Sequence, residues 1–176
     1  MNRYKKNLKL LTKNHVYSKE MEHDACGVGV IASTEGKKSR SIVEQGIQAL
    51  KAVWHRGAVD ADGKTGDGAG IHVEIPKDFF IEKIEVTGHD YDNSEICVGM
   101  IFLPRNDYAA QESCKTIVES ELTKNNFSIY GWRQVPVNPK ILGEKAFQTM
   151  PEIIQVLFKS NDKNLLDKNL ERKIYE

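Results

Sequence analysis

The sequence predicts a single globular domain that mixes helices with strands, and three observations carry that expectation. Its 176 residues suit one domain of roughly 150 residues with a tail. Its 40% apolar and 28% charged residues lie in the ordinary soluble globular range. Short apolar runs bounded by Gly or Pro alternate along the chain with stretches whose apolar residues recur at helical spacing.

Residues 1–19 carry six basic side chains and no acid, and Glu20, Glu22 and Asp24 then arrive together. This reads as a solvated arm or removable leader; an organelle transit peptide would be richer in Arg and Ser. From Cys26 the sequence turns to Gly-Val-Gly-Val-Ile-Ala, and residues 26–33 are predicted to form a buried strand. Ser41-Ile-Val-Glu44 has the form of a capping box, followed by Val43, Ile47, Leu50 and Trp54 on one helical stripe expected to face a core. Residues 55–70 hold five of the thirteen glycines and three aspartates, a structured loop.

Ile71-His-Val-Glu-Ile75 alternates with period two and is predicted to be a half-buried strand stopped by Pro76. A second strand is expected over 96–103. Asn106 or Asp107 can cap the next helix, on which Ala110, Cys114, Ile117 and Val118 share a face. Residues 127–135 and 152–158 read as two more strands, joined by a loop through Pro136, Pro139 and Gly143. The polar end, 165–176, has leucines at mixed spacing and receives no assignment.

Lys plus Arg (25) equals Asp plus Glu (25), which argues against nucleic acid or an anionic membrane as a partner. No apolar run approaches the ~20 residues of a spanning helix, and no signal-peptide core is seen, so the expected location is the cytoplasm. Three widely spaced cysteines, Cys26, Cys97 and Cys114, suggest neither a disulfide framework nor a zinc site. No metal site is expected: Asp60-Ala-Asp62-Gly63 resembles the start of a calcium loop, but its twelfth position is Ile71 where a bidentate Glu is needed. Gly27-Val-Gly-Val-Ile-Ala32 matches a dinucleotide fingerprint but lacks the preceding strand and following helix. Gly66-Asp-Gly-Ala-Gly70 lacks the Lys-Ser/Thr of a phosphate-binding loop.

Cys26 stands where a charged leader gives way to apolar sequence. Cleavage of the Ala25–Cys26 bond would put a thiol and a free α-amine on one residue. An α-amine titrates near ~7.7–8.0 and a thiol near ~8.5, so the amine can take the thiol proton during attack on a carbonyl. The competing reading is a small buried cysteine that begins a strand.

His23-Asp-Ala-Cys-Gly-Val-Gly29 and the long run Ala49-Leu-Lys-Ala-Val-Trp-His-Arg-Gly-Ala-Val-Asp-Ala-Asp-Gly-Lys-Thr-Gly-Asp-Gly-Ala-Gly-Ile71 closely resemble the start of the large subunit in the glutamate synthase family. Val98-Gly-Met-Ile-Phe-Leu-Pro104, Ile129-Tyr-Gly-Trp-Arg-Gln-Val-Pro136 and Gly143-Glu-Lys-Ala146 agree in the same order. The resemblance implies an α+β fold, the αββα four-layer sandwich of the N-terminal-nucleophile hydrolases, here incomplete. Residues 1–25 would be a leader or propeptide, and 26–176 the N-terminal portion of a class II glutamine amidotransferase domain. Cys26 would attack the side-chain amide of glutamine and release ammonia for glutamate synthesis from 2-oxoglutarate. Arg56 would bind substrate by shaping the wall of the cysteine pocket; a loop-pinning role is weighed equally.

The same resemblance implies no cofactor in this segment, with FMN and an iron–sulfur cluster in the full-length parent. It implies glutamine, the remaining large-subunit domains and a small reductase subunit as partners. The family's Asn-Gly oxyanion pair has no counterpart, because no Asn-Gly dipeptide occurs in the sequence. The chain is therefore expected to be truncated and inactive alone, and an alternative keeps it as a catalytically silent fragment acting as a binding module.

Overall fold

The run Ile153-Ile-Gln-Val-Leu-Phe158 has almost no polar alternation, the pattern of a strand covered on both faces. In the structure, a computed structural model, it becomes the middle of a sheet. Described are residues 27–54, 57–162 and 167–175, together with the helical positions Lys9 and Lys13. In chain order the elements are α1 (Arg40–Ala52), α2 (Lys77–Val86), β1 (Cys97–Leu103), α3 (Tyr108–Lys124), β2 (Phe127–Gln134), α4 (Glu144–Thr149), β3 (Glu152–Ser160) and α5 (Asp167–Tyr175). A 3-10 turn, Pro139–Ile141, precedes α4. The chain divides into two compact units, Met1–Ala58 with Ala69–Ile71, and Val59–Gly68 with His72–Glu176.

The second unit holds a three-stranded sheet of order β1-β3-β2 in which β3 pairs antiparallel with both neighbours. Cys97 lies opposite Phe158 in one ladder and Gln134 opposite Ile154 in the other. The fold of this unit is α+β. Successive residues of β3 point to opposite faces. Leu157 packs with Phe80 and Ile84 of α2, with Ile96 and with Tyr130. Val156 and Phe158 pack on the other face with Cys97, Phe127 and Leu170 of α5, where Val118 and Leu122 of α3 join them. The register shifts between Ile129 and Gly131. Gly131 sits there at φ 150°, and a Cβ on it would lie 2.8 Å from Thr87 Cγ2, so the bulge requires glycine.

Asp107 caps α3 as the sequence predicts, its carboxylate accepting from Ala110 N at 2.9 Å. The inward face of α3 is rotated from the predicted stripe. Ile117 is 62% exposed, whereas Gln111 is buried and donates through Nε2 to the carbonyls of Pro104 (2.7 Å) and Arg105 (3.2 Å). Those two bonds make burial of an amide tolerable. Helix α1 starts two residues before the predicted box: Ser39 Oγ accepts from Ser41 N at 3.2 Å, and Glu44 takes Arg40 Nε instead. Its apolar stripe is not buried, because no residue of α1 is, and Trp54 is 74% exposed. Among the described residues of its unit, no strand is present to cover that stripe.

The predicted strands 26–33 and 71–75 are not strands where described. Residues 27–33 are irregular, with Val28 and Val30 exposed, and no described residue pairs with either stretch in a ladder. Apolar sequence makes a strand only when a neighbouring backbone takes its N–H and C=O groups. Helix α2, starting directly after Pro76, and helix α5, with buried Leu170, are additions to the predicted elements. No described helix is long and apolar enough to cross a membrane.

Truncating Leu157, fully buried at the centre of β3, should destabilise the second unit by about 2–5 kcal/mol in urea unfolding. Ile117→Ala on the exposed side of α3 should stay within about 0.5 kcal/mol of the parent.

Candidate functional site

The glycine- and aspartate-rich loop after position 56 is built as a tight hairpin. Val59 bridges Gly66, Asp60 N–H donates to Thr65 O at 2.7 Å, and Gly63 N–H donates to Asp60 O at 2.9 Å. Inside it, the Asp62 carboxylate accepts from Lys64 N (2.9 Å), Thr65 N (2.7 Å) and Thr65 Oγ1 (2.6 Å). From α4, the backbone N–H of Ala146 donates to Thr65 Oγ1 at 3.5 Å. Helix α4 has Gly143 at its N-cap and no side-chain cap of its own, so a distant loop supplies the missing acceptor. The approach is close: a Cβ at Gly143 would collide with Asp62 Oδ2 and Thr65 Oγ1 and lie 2.6 Å from Thr65 N. Lys145 closes the assembly on Asp60 Oδ2 at 2.7 Å.

These bonds hold the Asp62 carboxyl down from its ordinary 3.8 to about 2, the Thr65 hydroxyl first and the Lys64 and Thr65 amides next. Its oxygens are used by the loop's own donors. Among the described residues, no group of three or more His, Cys, Asp or Glu is placed to hold a metal.

Cys26 and Arg56, the two site residues taken from the sequence, lie outside the described residues. Of their surroundings, Gly27 is exposed and irregular, and Gly57 N–H donates to Trp54 O at 3.0 Å. The other thiols are placed. Cys97 is buried in β1, and burial, followed by the charge of Glu95, pushes its thiol up to about 11. It is protonated at neutral pH and is no nucleophile. Cys114 is partly buried on α3, near its predicted place.

A second polar cluster was invisible in the sequence because its members are far apart in the chain. Asp92 accepts from Tyr130 OH at 3.0 Å, from Ser94 N at 3.2 Å and from Lys159 Nζ. Lys159 first, then Ser94, holds the Asp92 carboxyl well below the carboxylate range. Burial, then Asp92, pushes the Tyr130 phenol above its ordinary value. Both groups keep one protonation state at neutral pH, so this cluster pins the loop before β1 and is not acid–base machinery.

Residues 26–176 match the family described as glutamine amidotransferases class-II. Over 172 residues the chain is 54% identical to the glutamate synthase [NADPH] large chain of Azospirillum brasilense, covering 98% of this chain and 11% of that protein. It is 40% identical over 155 residues to ferredoxin-dependent glutamate synthase 1 of Arabidopsis thaliana, covering 88% of this chain and 9% of that protein. It is 38% identical over 168 residues to the ferredoxin-dependent glutamate synthase of Pyropia yezoensis, covering 95% of this chain and 11% of that protein. The chain thus spans between 9% and 11% of the length of these relatives.

Gly143→Ala should cost about 1–3 kcal/mol in urea unfolding, the range for an added carbon in a filled site. The pH dependence follows from the lowered Asp62 carboxyl. Its contribution is complete above its ordinary 3.8 and is lost as pH falls through about 2. Exchange of the Lys64 and Thr65 amides should therefore accelerate, relative to their intrinsic rates, over that window in the parent, and Asp62→Asn should abolish the acid transition.

Proposed function

The chain belongs to the class-II glutamine amidotransferases, and on that premise we propose that it is the glutamine-hydrolysing segment of a glutamate synthase large subunit. The observation that carries this reading is that the family match begins at residue 26, where the basic and acidic leader ends and the apolar Gly-Val-Gly-Val sequence begins.

In this reading residues 1–25 are removed and 26–176 form the N-terminal portion of the amidotransferase domain. The freed α-amine of Cys26 accepts the thiol proton as sulfur attacks the amide carbon of the glutamine side chain. The carbon–nitrogen bond then breaks, the ammonium group returns its proton to the departing nitrogen, and ammonia leaves behind a glutamyl thioester. Water attacks that thioester with the amine again taking a proton, and glutamate leaves as the thiol is re-formed. Arg56 binds substrate at the wall of this pocket. An amine is suited to both transfers because its ordinary pKa lies near neutrality.

The four-layer sandwich belongs to the same proposal. Met100 (49% exposed) and Phe102 (63% exposed) alternate with Val98 on the α2 side of the sheet, an apolar surface suited to a second sheet. The donors that stabilise the oxyanion and the groups that clamp the substrate carboxylate are assigned to residues other than these, since no Asn-Gly pair is present. The remaining domains of the large subunit and a small reductase subunit are the proposed partners.

In this proposal FMN and the iron–sulfur cluster belong to the full-length parent, and the described cysteines do not suit a cluster. A cluster takes cysteine thiolates, whereas Cys97 is buried as a protonated thiol and Cys114 stands alone on α3. No step above passes through either group.

A glutamine-mimicking electrophile should label Cys26 in the full-length enzyme carrying this chain, with labelling slowed by competing glutamine. Peptide mapping that finds Cys97 or Cys114 modified and Cys26 spared would contradict the assignment. The isolated chain beginning at Cys26 should release ammonia from glutamine at least ~100-fold more slowly than a complete domain, the cost of one absent oxyanion donor. Cys26-dependent turnover within tenfold of the complete domain would show that the substrate-binding groups are misassigned.

A further inference from the structure

We propose that Arg133 and Gln155, side by side on the α2 face of the sheet, form a receptor for a carboxylate carried by an apolar segment from elsewhere in the full-length large chain. The inference rests on the reading of this face as the seat of a second layer, and it adds the chemistry that the layer must bring.

Three observations carry it. The first is register. Gln155 of β3 stands opposite Met100 of β1 and Arg133 of β2, and residues paired across strands share a face. The row on one side of them pairs Val98 with Leu157 under α2, and the row on the other side pairs Phe102 with Ile153. The two polar side chains therefore stand at the limit of what α2 covers, beside Met100 and Phe102, which are 49% and 63% exposed. The second is that the polar groups left over are donors. Arg133 donates through Nη1 to the side-chain oxygen of Gln155, which leaves the amide its Nε2 donor. Gln155 is only 8% exposed, yet no described residue takes that Nε2. The guanidinium lies over the Phe79 ring at 5.1 Å, and no described acid pairs with it. Lys83 Nζ lies over the same ring at 5.1 Å and adds positive charge, while Glu82 is held 3.9 Å from Lys83 and Glu152 accepts from Gln134.

The third is what covering this face demands. Met100, Phe102 and half-buried Ile153 favour a packed layer over water. A layer laid over a guanidinium without an anion strips water from an uncompensated charge, so the segment that covers the apolar residues must also bring an acceptor to Arg133. A carboxylate fits the donors present. Its two oxygens take the remaining guanidinium N–H groups as a fork, with Gln155 Nε2 beside them. A small free carboxylate would satisfy the donors but leave Phe102 in water, and for that reason the occupant is a polypeptide.

The test uses the full-length large chain carrying this sequence. Hydroxyl-radical footprinting of the unsubstituted enzyme should show Met100 and Phe102 protected about tenfold or more relative to the urea-unfolded chain. Arg133→Lys puts a primary amine at the receptor, and a zero-length carbodiimide should couple it to one Asp or Glu side chain, read as a cross-linked pair by peptide mapping. Gln155→Glu, close in shape, sets a like charge among the donors and should cut the protection about threefold or more with β3 amide exchange unchanged. Protection without a cross-linked Asp or Glu would overturn the inference and leave the second layer intact. Protection unmoved by Gln155→Glu, or lost only together with faster β3 exchange, would do the same. Coupling to free glutamate added to the buffer, in place of a protein carboxylate, would assign the donors to a small molecule and also overturn it. Where Arg133→Lys itself exposes Met100, the Gln155→Glu result decides alone. Met100 and Phe102 as reactive as in urea would instead overturn the four-layer reading, and the inference with it.

Discussion

Two hydrogen-bond ladders meet on β3, and the placement of nearly everything else in the second unit is referred to that strand. It is the only described strand with neighbours on both sides, and residues 154–158 are buried without interruption. Leu157 commits one face to α2 and Tyr130, while Val156 and Phe158 commit the other to α3 and α5. Burial of this kind is worth about 1.5–3 kcal/mol for each large side chain, which makes β3 the rigid reference of the unit. Helix α4 ends at Thr149, three residues before β3 begins, and it is α4 that receives the glycine-rich hairpin. The hairpin is thus tied through a short helix to the best-packed of the described strands.

Four described groups are each held in one charge state near neutral pH. Asp62 and Asp92 are held ionised by their donors, and Tyr130 and Cys97 are held protonated by burial and nearby acids. Each shift stabilises one charge state in a structural role. In the proposed chemistry the group that must exchange protons near neutrality is the α-amine of Cys26, whose ordinary pKa already suits the task.

Much of the sheet was legible in the sequence because its signals are local. The apolar runs at β1, β2 and β3 and the Asp107 cap of α3 lie within a few residues of the structure they produce. The runs at 27–33 and 71–75 carry the same signal, but a strand also needs a partner, and pairing is not a local property. Helix α2 escaped because Phe79, Phe80, Ile81 and Ile84 crowd together and Pro76 reads equally well as the end of a strand. On α3, Gln111 points inward only because two carbonyls of the preceding turn await it. The contact of the hairpin with α4 was hidden for the same reason as the Asp92 cluster: both are built from residues distant in sequence. Cys26 and Arg56 show the reverse case, since motif and resemblance single them out and both lie outside the described residues.

The central claim is covalent, that glutamine is opened by the sulfur of an N-terminal Cys26. The most direct measurement is acid quenching of the full-length enzyme during glutamine turnover, followed by mass spectrometry of its N-terminal peptide. The account predicts a peptide beginning at Cys26 that carries a glutamyl group, which disappears when glutamine is exhausted. A glutamyl group on any other residue, or one on Cys26 of a peptide still preceded by residues 1–25, would contradict it.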